Sequence, residues 1–115
     1  MSPLDVSRAM PVASVVEFDR WLRVHGGRER EVVLAIYNKA SGKQTVSLVA
    51  LQEAALRHGW VDAQTKRLDQ ERYAIRFTPR RPGSTWSAKN RRMARRLLNG
   101  GRMTAAGIAA LPPDL

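Results

Sequence analysis

The residues best suited to binding chemistry lie close together, in a short loop of the chain. Arg80 and Arg81 stand between Pro79 and Pro82. Because proline fixes the backbone φ angle, the loop loses little entropy when it holds the arginines outward. A guanidinium presents a planar fork of N–H donors that matches the oxygens of phosphate or carboxylate. The loop therefore predicts contact with an anion, and the alternative is a solvated basic loop.

Asp62 is the carboxylate that could act in a reaction, since it follows Trp60 and Val61 and arginines lie nearby in the sequence. Two interpretations stay open. Asp62 is either a structural partner for an arginine or a backbone turn, or the pocket carboxylate of an enzyme acting on a small anionic substrate. A concave pocket around Asp62 with a raised carboxylate pKa would favour the enzyme.

The usual catalytic and metal-binding patterns are missing from the chain. There is no Gly-x-Ser-x-Gly motif and no phosphate-binding glycine-rich loop. The sequence has no cysteine, and its two histidines, His25 and His58, are too far apart in the chain to form a spaced metal-binding pair. We therefore expect no enzyme activity, no catalytic residue, no metal and no cofactor.

The positive charge of the chain is concentrated in one third of its length. The net charge is +10, and residues 66–102 hold 12 Lys or Arg against 2 Asp or Glu. The rest of the chain holds 8 of each sign. A basic patch raises the local potential and attracts polyanions. The partner is unknown at this stage, but a protein or a polyanion such as nucleic acid is consistent with this charge.

The third predicted helix begins near Trp86, Ser87 and Asn90. Trp86 and Asn90 fall on its apolar side. The simplest interpretation is that Ser87 or Ser84 caps the helix and Trp86 packs; the alternative places Trp86 on a ligand surface beside Arg80. Asn90 is a polar residue inside the apolar stripe, so we expect it to hold the 78–82 loop through backbone hydrogen bonds.

The candidate site lies where the 60–62 turn, the 78–82 loop and the start of the third predicted helix converge. We assign ligand or anion binding to Trp60, Asp62, Arg76, Arg80, Arg81, Trp86, Ser87 and Asn90. In the nucleic-acid alternative, phosphates contact the basic 76–96 face, with helix residues Arg91, Arg92, Arg95 and Arg96.

Hydrophobic periodicity predicts the elements that position these residues. At 115 residues and 43% apolar content, the chain has the size and composition of one small domain. We expect an α+β fold in the order α-β-α-β-β-α-α, with a short antiparallel sheet packed by helices. Residues 1–13 are expected to be an irregular lead-in and residues 14–115 the domain. The predicted elements are a helix from the Ser14 capping box to Gly26, a strand at 31–38, a helix at 47–58, strands at 60–65 and 72–78, a helix at 87–99 and a short helix after Thr104.

Alternation in the 72–78 strand separates two kinds of side chain. Tyr73 and Phe77 share one face, while Arg72 and Arg76 share the other. The aromatic side chains are expected in the core, so base stacking and charge would not share a surface. A binding surface for single-stranded nucleic acid needs stacking aromatics and positive charge on the same face, so this alternation argues against one on this strand.

Nothing in the sequence predicts membrane insertion or export. No run approaches the roughly 18 apolar residues of a membrane span. The first ten residues include Asp5 and Arg8 and lack the apolar core of a secretory signal. We therefore expect a cytoplasmic protein without a membrane span.

Three runs of residues resemble the YdeI/OmpD-associated family, also called bacteriocin-protection proteins. They are Gly59-Trp60-Val61-Asp62, the stretch from Thr78 through Arg80 and Trp86 to Asn90, and Gly101-Arg102-Met103-Thr104. The resemblance covers roughly residues 14–111. It implies a small bacterial α+β domain with no established enzyme activity and a link to a porin and to resistance against bacteriocins. We therefore expect a non-enzymatic binding or stress-protection module with a basic anion-binding face.

Overall fold

Each α-helix begins at a serine or threonine whose side-chain oxygen accepts a backbone N–H of the first turn. Such caps satisfy donors that the helix itself leaves unpaired. The computed structural model describes residues 4–115. Within these residues, no helix is long and apolar enough to span a bilayer. The helices are α1 (Val15–His25, capped by Ser14), α2 (Leu48–Arg57, Ser47), α3 (Ala88–Asn99, Ser87) and α4 (Ala105–Ala109, Thr104).

The strands form one four-stranded mixed sheet in the order β1-β2-β4-β3. They are β1 (Met10–Pro11), β2 (Val32–Tyr37), β3 (Trp60–Arg67) and β4 (Arg72–Pro79). β4 lies antiparallel to both β2 and β3. β2 is buried along most of its length, as its unbroken apolar run predicts. Together with the four helices, the sheet confirms the α+β fold and the predicted order of the main elements.

The N-terminal lead-in is more regular than predicted. Residues 1–3 lie outside the described part of the chain, but Val6–Arg8 form a 3₁₀ turn and β1 follows it. β1 pairs parallel to β2, so the sheet is mixed, while the three strands that the sequence predicted are antiparallel as expected. The pairing is made by main-chain groups, and Val12 N extends it by donating to the carbonyl of Ala35 at 3.2 Å. A strand of two residues, one of them proline, is too short to show the alternation of apolar and polar residues from which strands are predicted.

Two apolar clusters meet at α2. In the first, α1 and α2 pack on the sheet, with Phe18 and Phe77 fully buried and their ring centroids 4.7 Å apart. In the second, Leu56 of α2 packs against Met93 and Leu97 of α3. Trp86, Met103 and Leu111 add to this second cluster. As a result, the chain after β4 folds back over the carboxyl end of α2.

Candidate anion-binding site

A cleft of about 710 Å³ lies where the chain folds back. Its walls are the turn between α2 and β3, the loop that follows β4, and the stretch from α4 to residue 114. This volume is in the range that holds small-molecule ligands. Much of the wall is apolar, from Pro82, Ala109, Ala110 and Leu111 among others. The charged lining residues are Arg80, Arg81, Arg91 and Asp114, so the cleft is positive overall.

The loop after β4 is held by backbone hydrogen bonds at both ends. Arg80 N donates to the carbonyl of Gly59 at 2.9 Å, and Ser84 N donates to that of Arg81 at 3.1 Å. Pro82 and Gly83 occupy the two central positions of this turn. Gly83 has φ +75°, which glycine tolerates where a side chain would be strained. The Pro-Gly pair therefore sets the turn that carries the two arginines.

Arg80 lies over an aromatic ring. Its Cζ is 3.7 Å from the ring centroid of Trp86, a cation–π stack that limits the rotation of the guanidinium. Nη1 donates to Ser84 Oγ at 3.2 Å. Nε is buried and has no hydrogen-bond partner in residues 4–115. Burial lowers the pKa of Arg80 and the nearby Asp62 carboxylate raises it.

The Nε edge of the Arg80 guanidinium has no acceptor in residues 4–115, and the Nε atom itself is closed to solvent in this structure. A buried donor without a partner costs free energy, more so on a charged group. Nε and Nη2 together form the fork that carboxylates and phosphates match with two oxygens. An anion seated on this fork would supply the missing acceptor and offset the charge in a partly desolvated place.

Arg91 reaches the cleft from α3 and is held by a carboxylate of the same chain. Its Nη2 lies 3.2 Å from Asp114 Oδ1 and 3.3 Å from Oδ2. The Arg91 side chain is 29% exposed and that of Asp114 is 71% exposed. The cleft therefore contains one position where a carboxylate already meets an arginine.

The wall of the cleft that contains α4 depends on close packing between α4 and the end of α2. Gly59 lies against Ala106 and Ala110, where a side chain on Gly59 would come within 3.1 Å of the Ala110 Cβ. Thr104 donates from its backbone N and from Oγ1 to the carbonyl of Arg57, at 3.1 and 2.7 Å. Small residues and this double hydrogen bond together bring α4 into the wall.

A charged cluster lies behind the cleft and joins α1 to α2. Asp19 Oδ1 accepts a hydrogen bond from Arg57 Nη1 at 2.6 Å and lies 3.0 Å from His58 Nε2. Arg57 also donates from Nε to the carbonyl of Arg102 at 2.7 Å. Since His58 lines the cleft, Asp19 fixes one of the cleft residues from outside.

Of the eight residues predicted for the site, the structure brings four to the cleft: Trp60, Arg80, Arg81 and Trp86. Trp60 is 2% exposed and packs edge-on against Trp21, so it belongs mainly to the core. Trp86 combines both interpretations, because it packs in the second cluster and stacks under Arg80.

Asp62 and Arg76 do not line the cleft. Asp62 lies opposite Phe77 in the sheet and accepts a hydrogen bond from Gln52 Nε2 at 3.4 Å. Arg76 Nε donates to Glu31 at 2.9 Å, which places its guanidinium in an ion pair near the start of β2. Asp62 therefore meets Gln52 rather than the arginine or backbone turn of the structural interpretation, and it does not line the cleft that the enzyme interpretation needs.

Ser87 and Asn90 lie at the start of α3, outside the cleft lining. Ser87 Oγ accepts the backbone N–H of Asn90 at 3.1 Å, which is the predicted N-cap. No hydrogen bond between the Asn90 side chain and the 78–82 loop is seen within residues 4–115, so the contact that we expected is absent from this part of the chain.

The arginines predicted to contact phosphates divide into two groups. Arg91 belongs to the cleft, and Arg96 Nη2 pairs with Glu53 at 2.8 Å. Arg92 and Arg95 are exposed and form no ion pair in the described residues. The unpaired basic surface of α3 is therefore smaller than the sequence pattern suggests.

A family model for a domain of unknown function, DUF8412, matches residues 10–110. The chain belongs to this family. No curated protein matches the chain, and no solved structure does. The match begins at β1 and ends after α4, so this DUF8412 domain includes the strand that the sequence pattern did not predict.

Sequence reasoning missed the wall of the DUF8412 cleft formed by residues 106–114, and it missed His58 and Asp114 as lining residues. The available signal was the run of small residues at 105–110, which favours close helix packing. The direction in which that helix packs depends on contacts with Gly59, far away in the sequence.

Proposed function

We propose that this DUF8412 protein is a non-enzymatic binding module whose cleft holds an anionic ligand with an apolar body. The observation that carries the proposal is the Arg80 guanidinium, stacked on Trp86 with its Nε buried and unpartnered among residues 4–115. The positive lining attracts an anion, and the apolar walls suit a hydrophobic body. An enzyme acting through Asp62 has no such support, because Asp62 does not line the cleft.

We also propose a stress-protection role for this binding module. The resemblance to the YdeI/OmpD-associated family supports this role, and it rests on the residues around Trp60, Arg80 and Trp86. A cytoplasmic location is proposed because the first ten residues lack the apolar core of a secretory signal. The structure gives those residues a shared location, since all three line the cleft. A binding module would protect by holding a small anion or an acidic group of a partner protein.

The test is calorimetric titration with benzoate, phenyl phosphate and inorganic phosphate, using neutral benzamide for comparison. Arg80→Gln removes the charge and the fork, and charged hydrogen bonds contribute about 1.5–3 kcal/mol. We expect the Kd of the tightest anion to rise at least about 10-fold. Arg80→Lys keeps the charge but loses the fork, so its Kd should lie between those of the wild type and Arg80→Gln.

The matched control is Arg92→Gln, which removes one positive charge from an exposed position of α3. It should leave the Kd within about twofold of the wild type, because exposed charges act weakly at a distance in salt. Equal Kd values for Arg80→Gln and the wild type would contradict the assignment. So would a chain that binds none of the three anions.

Nucleic-acid binding is the second candidate, favoured by the exposed and unpaired Arg92 and Arg95 of α3. We expect the affinity for a labelled 20-nucleotide DNA, followed by anisotropy, to fall steeply with salt as counterions are released. The double variant Arg92→Gln/Arg95→Gln should reduce the log–log salt slope by about 2.

The control for this experiment is Lys66→Gln/Arg67→Gln, an equal charge change on exposed residues of β3. It should leave the slope near that of the wild type if α3 makes the phosphate contacts. Absence of binding at about 50 mM salt, where phosphate contacts are strong, would rule out the candidate.

A further inference from the structure

Two of the three arginines that line the cleft, Arg80 and Arg91, differ in one respect. Arg91 already holds a carboxylate, that of Asp114, at 3.2 and 3.3 Å. Arg80 holds none, and in residues 4–115 no carboxylate forms an ion pair with it. The Asp62 carboxylate raises the pKa of Arg80 through its charge, without forming an ion pair with it in the described residues. One position is therefore filled by the chain itself and the other is open.

The Arg91 position is easy to vacate. Asp114 is 71% exposed, so water replaces its hydrogen bonds when the side chain rotates away. An exposed ion pair contributes little to stability, and the backbone beside it is restrained by Pro112 and Pro113. A ligand carboxylate can therefore take the place of the Asp114 carboxylate by a side-chain rotation, without unfolding of the segment.

We propose that the ligand of this cleft carries two acidic groups joined by a short apolar body, with one group on Arg80 and the second replacing Asp114 on Arg91. The inference rests on the proposed function, since it needs the first group to bind Arg80. Ala109, Ala110 and Leu111 line the same cleft and would contact the apolar body of such a ligand.

The charge of the cleft agrees with a ligand of this class. Three arginines and one aspartate line it, so a single acidic group leaves positive charge without a counterion. A second acidic group that displaces Asp114 frees that carboxylate to solvent and adds its own charge beside Arg91. Asp114 thus acts as an internal competitor at the second position, and a ligand with only one acid, bound at Arg80, does not displace it.

The experiment compares straight-chain dicarboxylates from succinate to suberate with monocarboxylates of the same carbon number, by calorimetry on the full chain. We expect monocarboxylates to bind weakly and one length of diacid to bind at least about 10-fold tighter, as two linked contacts do when their spacing fits. Arg91→Gln should abolish that advantage, so that the diacid and the monocarboxylate of the same carbon number bind this variant with Kd values within about twofold of each other.

Asp114→Asn removes the competitor and should tighten the best diacid about three- to tenfold, more than it tightens the monocarboxylate of the same carbon number. The matched control is Glu29→Gln, which removes one negative charge from an exposed residue outside the cleft and should change neither class. Thermal unfolding of each variant confirms that its fold is intact.

The outcomes separate the two claims. If monocarboxylates bind through Arg80 but no diacid binds more tightly, the two-acid inference is wrong and the proposed function stands. If no carboxylate of either class binds and the aromatic anions also fail, the proposed function falls and the inference falls with it. An unchanged diacid Kd in Asp114→Asn would show that Asp114 does not occupy the second position.

Discussion

Gly107→Ala should lower the free energy of unfolding by about 3 kcal/mol, at the upper end of the cost of overpacking a well-packed site. A Cβ on Gly107 would lie 2.7 Å from the backbone carbon of Arg57 and 2.8 Å from Met103 Cε. The carbonyl of Arg57 cannot retreat easily, because it accepts both hydrogen bonds of Thr104. The greater helix propensity of alanine recovers only about 1 kcal/mol.

Urea denaturation measures this change, and Gly27→Ala is the control. A Cβ on Gly27 meets no heavy atom within 4 Å, so its effect should stay within about 0.5 kcal/mol. Gly107→Ala should also weaken benzoate binding, because α4 forms a wall of the cleft. Equal stability of the two variants would mean that α4 does not pack on Arg57 as described.

Asp19→Ala should lower the free energy of unfolding by about 2 kcal/mol. The substitution removes the acceptor of the Arg57 hydrogen bond at 2.6 Å and of the His58 contact at 3.0 Å. Hydrogen bonds to charged groups contribute about 1.5–3 kcal/mol. Because the Asp19 side chain is 25% exposed, water recovers part of the loss and the lower part of that range applies.

The comparison for Asp19→Ala is Asp114→Ala, which also breaks an arginine–aspartate pair. Asp114 is 71% exposed, and such pairs contribute about 0–1 kcal/mol. Asp19→Asn keeps an oxygen acceptor and should lose less than Asp19→Ala. If the two alanine variants have the same midpoint and slope in urea, the cluster of Asp19, Arg57 and His58 adds no more stability than a surface pair.

The positions of the helices were predictable because the signals are local. Ser14, Ser47, Ser87 and Thr104 each cap the helix that the sequence places after them, with hydrogen bonds that span three residues. The order of strands along the sheet was not predictable in this way. β1 depends on a ladder to residues 34 and 35, and nothing within its own two residues specifies that partner.

The candidate site shows the same division. Arg80 and Trp86 are six residues apart, so the sequence could place them together, and the turn at Pro82 and Gly83 sets the distance. Arg91 was assigned to a phosphate-binding face, because periodicity shows which helix residues are polar but not what they face. Asp114 came into the site only because the chain reverses after α3.

The amino-acid sequence determined the α+β class, the capped helices, the excess of positive charge in residues 66–102 and the arginine loop set by its prolines and glycine. Each of these depends on residue type or on neighbours within about one helical turn. The tertiary structure alone decided which arginines share a cleft, which are neutralised by Glu31 and Glu53, and that Asp114 faces Arg91. Those contacts join residues far apart in the chain, and packing of α4 on Gly59 and Arg57 brings them together.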